Sequence, residues 1–158
     1  MSTPLLSVER VYNVPLQRLW NAWTDETELE EWYSPAALFV VPGTVVSDAR
    51  VGGPWKVAVD VPEHAMVAYF WGGYTTVDEL TSLEHTLFYT QDRAEFDAAD
   101  ESGPSHRLVI DFAEHGNGSW VRLSQFGEMP DPAQVEATRL GTESYFDSLG
   151  LYLNRTVV

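Results

Sequence analysis

Residues 5–13, LLSVERVYN, alternate apolar and polar positions as a half-buried strand does, and Pro15 then opens a helical segment in which Leu16, Leu19, Trp20 and Trp23 share one face. Asp25 followed by Glu28 has the spacing of a capping residue and an acidic third position. A second short helix is therefore predicted through Leu29 and Trp32 until Pro35 stops it. From about residue 44 to 126 the period is two, and TVVSDAR, PWKVAVDV, MVAYFW, YTTVDEL, HTLFYTQ, HRLVIDFAE and SWVRLSQF read as strands of a curved antiparallel meander. The last two are joined by His115-Gly116-Asn117-Gly118, a hairpin turn signal. The stretch from Gln91 to Pro104 is acidic and poor in large apolar residues, and reads as a mobile hairpin loop. After Pro130 the period lengthens. Val135, Thr138, Thr142, Tyr145, Leu149 and Tyr152, widened by Phe146 and Leu153, mark one face of a long helix over 131–153 that Asp131 and Pro132 open. No repeat or linker divides the chain, so 1–158 is expected to form one domain.

The adjacent glycines in DARVGGPWKV raise a chemical question. A phosphate-cradling loop needs spaced glycines that open a helix, whose N-terminus supplies free N–H groups. Here Trp55, Val57, Val59 and Val61 alternate with Lys56, Ala58 and Asp60, and Pro54 removes a donor. The pair is predicted to supply positive φ angles in a strand-to-strand turn, not to hold a nucleotide. No GxSxG, Walker, Rossmann or HExxH pattern occurs, and the four histidines lack metal-ligand spacing. No metal, other cofactor or catalytic residue is singled out, so a binding role is expected ahead of an enzymatic one. His85, beside Glu84, could act as a base on a bound ligand if it points inward. His115 reads as a solvated turn residue, and Arg122, between Val121 and Leu123, as exposed.

Charge narrows the partners. The 24 acidic and 9 basic residues give a net charge of −15, with no basic stripe to neutralise phosphates, which argues against nucleic acid and anionic membrane surfaces. The absence of cysteine excludes disulfides and thiolate chemistry. No basic segment leads into an apolar run at the N-terminus, and no run approaches the ~20 apolar residues of a membrane span, so a cytoplasmic protein is expected, as monomer or homodimer. Twenty aromatic residues, six of them Trp, exceed what a core of this size needs, and some are expected to line a cavity.

Strand, paired short helices, meander and long terminal helix follow the order of the START-like, birch-pollen-allergen-like helix-grip fold. Three local stretches sharpen this. PLQRLWNAWTD at 15–25 with Trp32-Tyr33-Ser34-Pro35, the DARVGGPW turn, and Gly141-x-Glu143-Ser144 followed by Phe146-Asp147-x-Leu149 resemble the SRPBCC superfamily branch called activator of heat-shock protein 90 ATPase homologue-like. The resemblance implies an α+β fold with a curved antiparallel sheet wrapped around the C-terminal helix and two short helices after the first strand. Where the branch usually carries Trp, Gly and Trp, this chain carries Tyr33, Ser34 and Thr142, positions expected to touch the cavity.

In different branches of the superfamily such a tunnel holds lipids, hormones or polyketides. The resemblance thus implies that this chain binds a small apolar or aromatic molecule between sheet and helix. The alternatives are a protein-interaction module regulating a chaperone ATPase in a stress response, as the branch name suggests, and a polyketide cyclase-like enzyme. Candidate ligand-binding residues are Trp32, Trp55, Tyr69, Trp71, Phe88, Phe112, Thr142, Tyr145 and Leu149.

Overall fold

The computed structural model describes residues 3–156, so residues 1–2 and 157–158 of the expected domain lie outside the described residues. Strand β1 (Leu6–Tyr12) leads through Pro15, at the N-cap position, into α1 (Leu16–Thr24). Helix α2 (Glu26–Trp32) follows directly, its start fixed by the Asp25 carboxylate accepting from the Thr27 amide at 2.9 Å. The meander comprises β2 (Phe39–Val40), β3 (Val46–Ser47), β4 (Pro54–Val61), β5 (Met66–Asp78), β6 (Ser82–Thr90), β7 (His106–His115) and β8 (Gly118–Phe126), with α3 (Arg93–Ala98) between β6 and β7. Helix α4 (Pro132–Thr156) ends the described chain. All pairings are antiparallel, in the order β1-β8-β7-β6-β5-β4-β2, with β3 also on β4. This is the helix-grip arrangement: a curled sheet holding α4 against its concave face.

Several elements depart from the sequence reading. The 91–104 stretch is not a bare loop, because α3 forms within it, capped by the Asp92 carboxylate accepting from the Ala94 amide at 2.9 Å. Its one large apolar residue, Phe96, is buried against Tyr69, with ring centroids 4.9 Å apart, and the Lys56 ammonium lies 4.1 Å from the Phe96 ring centroid. Six residues with a single apolar anchor are too few to display a helical period. The stretches MVAYFW and YTTVDEL form one continuous strand rather than two, with a bulge between Tyr74 and Thr76. TVVSDAR contributes only Val46–Ser47 to the sheet.

The glycine pair is a strand-to-strand turn, with one correction. Gly52 has φ +86°, but Gly53 does not take a positive φ; a Cβ there would lie 2.0 Å from the Asp48 carbonyl oxygen, so close backbone approach is what requires glycine. The turn's amides are already engaged: Gly52 donates to the Tyr74 carbonyl at 2.8 Å and Gly53 to that of Arg50 at 2.8 Å. Neither glycine amide is left free to cradle a phosphate.

The core lies between the concave face, α1, α2 and the C-terminal half of α4. Trp23 stands among four rings, those of Trp32, Tyr33, Phe112 and Phe146, with interplanar angles of 72–89°. The Trp32 indole N–H donates to the Ala22 carbonyl at 2.8 Å, which ties α2 back onto α1. From α4, Phe146, Leu149, Tyr152 and Leu153 are buried, whereas 132–142 contributes no buried residue. Polar contacts from β1 and from residues 34–36 hold the buried half in place. Arg10 bridges Glu143 at 3.0 Å and Asp147 at 2.8 Å, and the Tyr12 hydroxyl donates to the Phe146 carbonyl at 2.7 Å. The Ser148 hydroxyl donates to the Ser34 carbonyl at 2.6 Å, and the Ala36 amide to the Ser144 hydroxyl at 2.9 Å.

His85 points inward and is buried, stacked on Trp55 with ring centroids 4.2 Å apart and with Nδ1 2.8 Å from the Thr86 carbonyl oxygen. Burial pushes its pKa down to about 4, against the Thr86 hydrogen bond, which acts the other way. An unfolded imidazole takes up its proton near pH 6.5, so the unfolded state binds more protons as pH falls from there toward 4, and stability is lost across that window. The loss at its limit is about 3 kcal/mol for this shift. Urea unfolding of wild type and His85→Phe between pH 7 and 4.5 should show wild type losing more stability than the variant. Parallel pH dependences would mean that the folded state accepts a proton on His85 readily.

Candidate functional site

Because α4 is fastened only over its second half, its first half stands off the sheet and roofs a cavity of about 1010 Å³. The floor is the concave face, with Trp55, Phe70, Leu87, Leu108 and Leu123. Trp23, Tyr33 and Phe146 close the inner end, and Gln134, Thr138, Gly141, Thr142 and Tyr145 form the roof. The mouth lies where β6 runs past its last pairing with β7, Leu87 opposite His106, between half-exposed Tyr89, residues 104–105 and the 127–130 loop. The volume is at the upper end of ordinary small-molecule sites.

Register decides which expected residues reach this space. Trp55, Tyr145 and Thr142 line it, and Phe88 borders it at the edge where β6 loses its partner. Trp32, Phe112 and Leu149 do not; they are core residues packed behind the inner wall. Tyr69 and Trp71 point to the opposite face of the sheet, where they pack with Phe88, Phe96 and Ala58 under α3. Side chains alternate along a strand, and the pairing of Trp55 with Gly72 puts Gly72 and Phe70, not Tyr69 and Trp71, on the inner face. By the same parity Tyr89, not Phe88, faces inward on β6. Phe70 and Tyr89, whose rings are 5.4 Å apart, were therefore missed, and so were Trp23, His106 and Gln125. The inner parity of β4, Trp55-Val57-Val59, carried through antiparallel pairing, is the signal that finds Phe70. Of the three unusual positions in the family pattern, Tyr33 and Thr142 reach the cavity and Ser34 does not.

Polar groups in the cavity are few. His106 accepts at Nδ1 from the Gln125 amide at 2.7 Å and donates from Nε2 to the Glu128 carbonyl at 3.0 Å, a pattern satisfied by the neutral ring protonated on Nε2. Thr142 returns its hydroxyl to the Thr138 carbonyl at 2.9 Å. Tyr33 is wedged against Trp32, Trp55 and Tyr145 with ring centroids 5.0–5.4 Å apart. Burial raises the pKa of both Tyr33 and Tyr145, so both phenols are protonated and able to donate near neutral pH. No Lys or Arg lines the cavity, and Glu128 at the mouth is its one carboxylate.

Acid–base chemistry has little to work with. His85 is inward but sits behind Trp55, outside the cavity lining, and its depressed pKa keeps it neutral. His115 is exposed in the hairpin turn, and Arg122 lies on the outer face beside Asp111 at 3.2 Å. Among the described residues no three His, Asp or Glu side chains gather closely enough to hold a metal ion, and no helix is long and apolar enough to cross a membrane.

Comparison with known proteins agrees with the architecture. The AHSA1 protein of Silicibacter pomeroyi is 21% identical, with 94% of this chain and 96% of that one covered and a TM-score of 0.77. A Staphylococcus epidermidis protein solved by solution NMR is 20% identical over 100% of this chain and 94% of its own, also with a TM-score of 0.77. DynU16, from the dynemicin biosynthetic locus, is 13% identical over 94% of this chain but 46% of its own, with a TM-score of 0.69. At these identities the likeness is one of fold. No curated protein matches. The family described as Activator of Hsp90 ATPase homolog 1-like protein matches residues 13–154, nearly the whole chain, and with the helix-grip fold and the sequence motifs in their expected places, the chain belongs to that family.

Proposed function

We propose that this protein binds a small hydrophobic or aromatic molecule in the cavity between the concave face of the sheet and the first half of α4. The observation that carries the reading is a cavity of about 1010 Å³ walled largely by aromatic and aliphatic side chains and opening to solvent beside Tyr89. Removing apolar surface from water contributes about 25 cal/mol per Å², so a molecule of two or three fused rings gains several kcal/mol on entering such a space. The walls are held by packing that does not involve the ligand: Trp23 by four neighbouring rings, Trp55 by His85. A site shaped in advance binds with a smaller ordering cost. The absence of a placed acid–base pair in the lining favours binding over turnover.

An uncharged apolar fluorophore, N-phenyl-1-naphthylamine, should bind saturably at one site per chain, read by its emission on titration. Thr142→Trp, which restores the bulk that the family usually carries on the roof, should weaken this probe about tenfold while lowering the unfolding free energy by no more than about 1 to 3 kcal/mol. Smaller probes such as toluene should be affected less. Equal affinities for wild type and variant across a graded series of ring sizes would remove Thr142 from the site. A stable protein partner recovered with a cavity that takes no probe would favour the chaperone-interaction alternative.

A further inference from the structure

Two hydroxyls at the inner end of the cavity have no use within the protein. Tyr33 is more than nine-tenths buried and Tyr145 lies beside it with ring centroids 5.0 Å apart, and neither hydroxyl makes a hydrogen bond to any described residue. Two other phenols, by contrast, are held by protein acceptors. Tyr12 donates to the Phe146 carbonyl at 2.7 Å, and Tyr74 shares a 2.7 Å bond with the Ser47 hydroxyl. Both hydroxyls are open to the cavity, since the side-chain polar atoms sealed from solvent without a partner among the described residues are Trp23 Nε1 and Arg122 Nε, so a guest there meets two phenol donors that no protein acceptor holds. His106 needs none, because both its nitrogens are engaged by Gln125 and Glu128.

We propose that the cavity's ligand is an uncharged aromatic molecule carrying a carbonyl-type oxygen, which accepts hydrogen bonds from Tyr33 and Tyr145 at the closed end. This rests on the binding reading above and adds the chemical class and orientation of the ligand. Phenols donate, so the complementary ligand atom is an acceptor. A carboxylate is selected against: no Lys or Arg lines the cavity, Glu128 stands at its mouth, and the chain carries a net charge of −15. An ion entering unpaired would lose its hydration without a counter-charge in return. The aromatic surround of Tyr33, formed by Trp23, Trp32, Trp55 and Tyr145, favours a ring system over a flexible chain, because rings offer edge and face contacts without rotamer loss.

The test uses three naphthalenes of nearly one shape. In 2-acetylnaphthalene the side group carries a carbonyl, in 2-isopropenylnaphthalene a methylene replaces the oxygen, and in 2-naphthoate the group is a carboxylate. Dissociation constants at pH 7, from quenching of Trp emission, should rank naphthoate at least about tenfold weaker than the ketone. The ratio of ketone to hydrocarbon affinity should fall about tenfold from wild type to the Tyr33→Phe/Tyr145→Phe double variant, with the hydrocarbon's own affinity within about twofold. Wild type alone gives an independent reading: the carbonyl stretch of bound 2-acetylnaphthalene should move to lower frequency than in an alkane solvent. An unchanged ratio, an unshifted carbonyl stretch, or a naphthoate that binds as tightly as the ketone overturns the proposal while leaving the cavity a hydrophobic site. Failure of all three compounds to bind folded wild type overturns both readings.

Discussion

The uneven fastening of α4 is the constraint on which the rest of this structure depends. Over its second half Phe146, Leu149, Tyr152 and Leu153 are buried, and Arg10, Tyr12, Ser34 and Ala36 reach it through ion pairs and hydrogen bonds. Burial of those four side chains is the larger contribution, on the order of 2 kcal/mol each, with about 1 kcal/mol for each hydrogen bond. The polar contacts fix direction: they set where the helix leaves the sheet. Over the first half no residue is buried, so the helix continues as a rigid beam over a space it does not fill. Closing that space would require tilting the helix and breaking the Arg10 and Tyr12 contacts, which is why the cavity persists in a chain with so many large side chains.

Much of the fold was legible because it is written in periods. The switch from two to 3.6 after Pro130 located α4, and Asp25, Pro35 and the Gly116-Asn117 turn marked boundaries through local backbone chemistry. The site was less legible, for a reason specific to sheets. A strand's two faces differ by one residue, and in β5 both faces are apolar: Tyr69 and Trp71 serve the outer cluster under α3 while Phe70 serves the cavity. With α3 unrecognised, nothing in the sequence supplied a second apolar layer, so the largest side chains were assigned to the inside. On α4 the apolar stripe was found, but its single period conceals two roles: Leu149 is sealed in the core, and Thr142 and Tyr145 face open space. Only the position of the fastening separates them.

The cavity's polarity is as informative as its size. Its floor and inner wall are aromatic and aliphatic, its histidine is internally satisfied, the Tyr33 and Tyr145 phenols are protonated, and it contains no Lys or Arg. The charge that gives the protein its net −15 lies elsewhere, apart from Glu128 at the mouth. Such a lining discriminates by solvation: an uncharged guest gives up little hydration on entry, whereas an ion gives up much and regains little. The buried histidine, His85, is held neutral behind Trp55 and acts as part of the wall's backing, not as a participant.

The central claim is that guests enter between sheet and helix and not the aromatic cluster on the outer face. Aromatic carbon–proton correlation spectra of the protein titrated with N-phenyl-1-naphthylamine separate the two directly, because Tyr33, Trp55, Phe70 and Tyr145 report the inside and Tyr69, Trp71 and Phe96 the outside. The account predicts saturable shifts at a one-to-one ratio confined to the first group. Shifts confined to the second group, or progressive shifts in both without saturation, would contradict it.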